Sequence, residues 1–147
     1  MNLDWNRRGK IKAGLLILLS LPSLFYPQNY AQGISAPMDL ISLPIIFIFV
    51  SLAIPLISKF NNKILGREIV MPHWNDKIFS FSHPLNMFHF GTYFFITQGL
   101  SVLLGSAIAF QHFSSKSILL IVFGLGIRTG IHLAIKWVSK KKKNEKN

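Results

Sequence analysis

Arg128, His132 and Lys136 follow one another at steps of four residues, and His89, Tyr93 and Thr97 repeat that step earlier in the chain. Residues four apart share one stripe of an α-helix, so each set reads as a row of polar side chains on a helical face. The chemistry on offer is anion recognition. A guanidinium binds phosphate or carboxylate through paired hydrogen bonds, with imidazole, phenol and hydroxyl groups as further donors. A second reading uses His89 and His132 as axial haem ligands, with Arg128 and Lys136 turned toward the propionates. No Walker, Rossmann, kinase or nucleophile-elbow motif is present, so no residue is assigned a catalytic role.

The surroundings of these residues decide how much weight they bear. Arg128 interrupts an otherwise uncharged run from Ser117 to Ile135, and Ile78–Ser115 carries no formal charge. Placing Arg at the centre of a spanning helix costs about 2.5 to 3.5 kcal/mol on insertion scales, which makes an intramembrane Arg a site hypothesis by default. The competing reading is that Arg128 snorkels toward lipid phosphates, or contacts neighbouring helices, since its side chain is long and the helix ends in a basic tail. No acidic residue lies within these runs to pair with it. With Pro84 and Trp137 taken as boundaries, His89 and His132 lie about 7 Å inside and Tyr93 and Arg128 about 13 Å inside, at helical rise. The expected site is therefore a cytoplasm-facing cleft lined by His89, Tyr93, Thr97, Arg128 and His132.

Small residues line other faces of the same helices. Gly126 and Gly130 oppose the cationic stripe, and Ser101, Gly105 and Ala109 form a stripe in the outer half of the preceding helix. Such spacing lets helix backbones approach closely, so Ser101, Gly105, Gly126 and Gly130 are expected at helix-packing surfaces.

The elements that must position these residues follow from composition. The chain has 147 residues, half of them hydrophobic, with 16 Lys+Arg against 5 Asp+Glu, a net charge of +11 and no cysteine. Positive mean hydropathy combined with bunched charge excludes a disulfide scaffold, a disordered basic tail and an ordinary cytosolic enzyme. About 20 apolar residues cross a hydrocarbon core, and four segments approach that length: Ile11–Tyr26, Leu40–Ile57, Leu85–Phe110 and Ser117–Trp137. The reading is an all-α membrane protein, a single integral domain of four transmembrane helices in an up-down bundle. Pro44 and Pro55 in the second helix are expected to free carbonyls that Ser42 and Ser51 then satisfy. Between the second and third helices, Asn61–His83 mixes apolar and charged residues and is read as an interfacial segment, with Trp74 as its depth anchor. Ser82 or His83 caps the third helix, with Pro84 at its first position.

Sidedness follows from the basic residues. Arg7, Arg8, Lys10 and Lys12 precede the first span. Lys59, Lys63, Arg67 and Lys77 lie between the second and third, while Lys136, Lys140 to Lys143 and Lys146 end the fourth. Only Lys116 falls on the other side, so both termini are assigned to the cytoplasm of a multi-pass cell-membrane protein. Two rival topologies weigh less. Cleavage of the first span as a signal peptide would place Asn29 or Pro37 badly, and splitting Ile78–Ser115 would send the basic tail across the membrane.

His73, Asp76, His83 and His89 lack metal-site spacing, and no metal is assigned. The basic tail, residues 138–147, reads as a stop-transfer anchor on anionic inner-leaflet lipids rather than as a nucleic-acid binder. The leading functional expectation is a non-enzymatic accessory, assembly or interaction factor without a cofactor, working with a membrane-protein partner or as a homo-oligomer. The alternatives are a small oligomeric transporter or channel passing an anion or lipid headgroup near Arg128, and a haem or other redox site at His89 and His132.

Overall fold

A computed structural model describes residues 6–27, 42–65, 69–80, 83, 85–110 and 115–144. It contains four helices among these residues: α1 (Arg7–Phe25), α2 (Ser42–Leu65), α3 (Leu85–Phe110) and α4 (Ser115–Asn144). Asn6 caps α1 by accepting the Gly9 amide at 3.0 Å, which satisfies one of the free donors of the first turn. Pro22 lies in the last turn of α1, where its own carbonyl still accepts the Tyr26 amide at 2.9 Å.

Three helices are long and apolar enough to cross a membrane, Ser42–Phe60, Leu85–Phe110 and Lys116–Trp137, rather than the four expected. The shortfall is α1. Arg7, Arg8, Lys10 and Lys12 occupy its opening turns, and only Ala13–Phe25 remains as apolar length before the helix ends. At about 1.5 Å per residue that stretch covers roughly 20 Å, less than a full hydrocarbon core.

The helices form a row in the order α1, α3, α4, α2. Packing is carried by α3 on α4, α2 on α4 and α1 on α3, so chain neighbours α1 and α2 share little contact among the described residues. This differs from a ring-like bundle, although the helix directions alternate as expected. Leu19 and Leu24 of α1 lie against Gln98 and Gly105 of α3, so these two helices run the same way. Val50 and Ile54 of α2 meet Gly126 and Gly130 of α4 in the same order, so these run together as well. Gly99 sits beside Ser117 and Ile121 while Gly124 sits beside Thr92 and Ile96, which makes α3 and α4 antiparallel. The start of α1 and the end of α4 therefore lie at the same end of the molecule.

A small core joins α2, α3 and α4 through Val50, Ile54, Leu85, Ile127 and Ile131. Outside it the helices leave large apolar side chains uncovered, with Phe49 at 72% and Ile108 at 79% exposure. Helical hydroxyls turn back to their own carbonyls: Thr92 to Phe88, Ser106 to Leu103 and Thr129 to Leu125, each between 3.0 and 3.2 Å.

Helix α2 continues to Leu65, so the first part of the assigned interfacial segment is helix, and residues 69–80 form a loop with turns. The expectation for the prolines of α2 is corrected. Pro44 falls in the first turn of α2, where no helical bond is lost. The Ser51 hydroxyl donates across the interface to the Gly126 carbonyl at 3.2 Å instead of repairing its own helix beside Pro55. Helix α4 runs without a break into the basic tail, as far as Asn144. The expectations for Ser82 and Pro84 lie outside the described residues.

Candidate functional site

The polar residues of the chain gather where the loop before α3 docks on the start of α1. Gly9 makes that docking feasible, because a Cβ there would come within 3.0 Å of the Trp74 ring. Next to it, the Asn6 amide donates to Asn75 Oδ1 at 3.2 Å, and the Lys12 ammonium donates to the Trp74 carbonyl at 2.9 Å. The same ammonium stands 5.5 Å from the Trp74 ring centroid, within cation–π reach. Lys12 is only 3% exposed.

The loop is held in turn by its own polar groups. The His73 amide donates to Asp76 Oδ2 at 2.8 Å, the Asn75 amide donates to His73 Nδ1 at 3.2 Å, and Asn86 Nδ2 reaches the Lys77 carbonyl at 3.0 Å. These bonds leave Trp74 directed inward. Its ring meets Tyr93 of α3 edge-on at 4.8 Å, and Tyr93 meets His89 edge-on at 5.1 Å. Trp74 is thus a wedge between the loop and α3.

Of the expected cleft residues, the structure joins His89 and Tyr93 directly. Thr97 lies one turn further along α3, where its hydroxyl is bonded back to the Tyr93 and Phe94 carbonyls at 2.9 and 3.0 Å. Arg128 and His132 are exposed on α4. By helical spacing Arg128 and His132 occupy the α4 face opposite its contact with α2, so the two polar stripes border the same side of the α3–α4 seam. Among the described residues, no group of three or more His, Cys, Asp or Glu is arranged to hold a metal ion.

The small residues divide differently from the sequence expectation. Gly126 and Gly130 are consumed by α2 of the same chain: a Cβ on Gly130 would lie 2.9 Å from Ile54 Cβ and 3.0 Å from the Ser51 carbonyl. Gly105 is pressed against the Leu24 carbonyl of α1, while Ser101 is half-buried. Two further close positions went unread in the sequence, Gly99 and Gly124, which bring α3 and α4 together backbone to backbone. The signal existed in Gly124-x-Gly126-x-x-x-Gly130, where two offset glycines imply two different helix neighbours.

On the other side of the helix row, α2 and α3 flank α4 without closing over it. They leave a groove of about 930 Å³ lined by apolar side chains, among them Phe49, Ala53, Gly91, Phe95, Leu119 and Phe123. None of the five polar cleft residues lines it. No family model matches this chain, and no curated protein or solved structure matches it either.

Proposed function

We propose that this chain is a multi-pass protein of the cell membrane that acts without catalysis, as an accessory or assembly factor seating an apolar helix of a membrane partner or of a second copy. The observation that carries the reading is the groove between α2 and α3, whose apolar walls and length along three helices suit a helix better than a polar substrate. Because the chain contains no cysteine, Ala53→Cys places a single thiol in the groove, and Ile108→Cys places one on an exposed face of α3. Thiol cross-linking in native membranes should give one product of defined mass from the Ala53 variant and none from the Ile108 variant. Purified protein in liposomes then separates a second copy from another protein. Equal products, or none, at both positions would assign the groove to lipid.

The topology supporting this reading has both termini in the cytoplasm, with α1 as a short fourth crossing. Support comes from the basic residues gathered near one end and from the way α1 follows α3 from the Trp74 level to Gly105. Reporter fusions after Asn147 and within residues 27–39 are expected to report opposite sides of the membrane. A C-terminal fusion active outside the cytoplasm overturns the arrangement.

A second reading, an anion or lipid-headgroup path at the α3–α4 seam, is favoured by the helical spacing that puts Arg128 and His132 on the α4 face opposite α2, on the side of the seam that also carries the joined pair His89 and Tyr93. A guanidinium holding an anion bidentately is not replaced by an ammonium, whereas a snorkelling Arg is. Arg128→Lys and Arg128→Leu are both expected to abolish anion flux in liposomes if the path exists. Flux unchanged in both variants leaves Arg128 as an anchor in the headgroup layer.

A further inference from the structure

Two cavities beside α1 place two chemistries side by side. The first, about 300 Å³, opens between Arg8, Ile11 and Lys12 of α1 and the Asp76–Phe79 end of the loop. The second, about 280 Å³, runs between Leu15 and Leu19 of α1 and Met87, Phe90 and Phe94 of α3. Ile78 and Phe79 line both, so the basic mouth and the apolar trench share a wall. Along α1 the residues 8, 11, 12, 15 and 19 follow helical spacing, which puts the cations and the apolar floor on one face. Met87 and Gly91 of the trench also line the larger groove between α2 and α3, so the apolar surface continues across α3.

We propose that the two cavities together bind one anionic phospholipid, its phosphate held at the mouth by Arg8, Lys12 and Lys77 and an acyl chain lying in the trench along Leu15 and Leu19. The proposal rests on reading this end of the molecule as the one that faces the anionic leaflet. Three cations face one carboxylate at the mouth, and Asp76 is already committed to the His73 amide at 2.8 Å. Lys12 uses one of its three donors on the Trp74 carbonyl, which leaves two for a phosphate. Arg8 and Lys77 are exposed, while Ile11 at 58% and Phe79 at 76% exposure surround them with apolar surface. A soluble anion has no use for that surface. A lipid does, because its chain and headgroup meet at the depth where such residues sit.

Native mass spectrometry of the full chain in mild detergent, with phosphatidylglycerol or phosphatidylcholine added, tests the site. One phosphatidylglycerol is expected to remain bound per chain, with phosphatidylcholine lost. Arg8→Gln with Lys77→Gln should lower its affinity by roughly thirtyfold, the effect of removing two cations that act at an anionic surface. Lys140→Gln with Lys141→Gln removes the same charge from the C-terminal run and should leave retention unchanged. Leu15→Trp, which fills the trench without altering charge, should also expel the lipid while helical circular dichroism is preserved. Equal losses from both charge variants would show general adsorption and overturn the site, as would equal retention of the two lipids. Full retention in Leu15→Trp, or displacement by inorganic phosphate alone, overturns the acyl trench. The readout is made in detergent and does not depend on sidedness, so a failed lipid site and a failed topology are told apart by these spectra and the reporter fusions.

Discussion

Gly124→Leu is expected to drive α3 and α4 apart and to cost a large part of the stability of the bundle. A Cβ at this position would stand 2.8 Å from Ile96 Cγ1 and 2.9 Å from the Thr92 carbonyl, and the carbonyl is backbone that cannot rotate away. Overpacking of this kind costs about 3 kcal/mol at the upper end of its usual range, and a leucine extends well beyond Cβ. Gly130→Leu should act similarly on the α2–α4 contact, where Ile54 and the Ser51 carbonyl leave no room. Thermal unfolding in detergent, followed by helical signal, measures both. Gly14→Leu is the control, because a Cβ on Gly14 meets nothing within 4 Å. A Gly124→Leu protein that melts with the Gly14 variant would show that the α3–α4 contact is looser than its geometry.

Trp74→Ala is expected to release the loop before α3 from α1. The ring is the contact through which the loop meets Tyr93 and over which the Lys12 ammonium stands. Removing it costs about 3 kcal/mol, the lower end for deleting a packed aromatic, and withdraws a cation–π contact in addition. The loop retains its own turn bonds, so the effect should be local undocking rather than global unfolding. Limited proteolysis reads it: cleavage between α2 and α3 should rise sharply in Trp74→Ala and only slightly in Trp74→Phe, whose ring still faces Tyr93. Cleavage unchanged in Trp74→Ala would mean that the hydrogen bonds from Asn6 and Lys12 hold the loop alone.

Which helices exist was legible from hydropathy, and the α3 bounds, Leu85–Phe110, match the sequence reading. Their lateral order was not. Gly126 and Gly130 announce a close helix neighbour, but a small-residue stripe carries no label saying whether that neighbour belongs to the same chain, and here it is α2. The α1 shortfall came from counting Ile11–Tyr26 as a span although Lys12 lies within it and only Ala13–Phe25 is apolar length. Lys12 is buried because Trp74, forty-eight residues from the first span in the sequence, brings it a carbonyl and a ring. Contacts between a loop and a distant helix leave no periodic trace, so the inward role of Trp74 was hidden for the same reason. The polar stripes were visible as spacing. That Thr97 would satisfy itself within its own helix, leaving His89 and Tyr93 as the joined pair, depends on rotamers that spacing does not set.

The row order of the helices has a bearing on biogenesis. Ribosomes deliver α1 and α2 first, yet these two sit at opposite ends of the row and share little contact among the described residues. Neither can find its packing partner until the later half of the chain emerges. The hairpin of α3 and α4 holds the contacts that both await, so assembly must run backward along the sequence: the last-made pair forms the nucleus and the first-made helices are recruited to its flanks. An intermediate that ends before α3 is therefore two helices with little contact between them among the described residues.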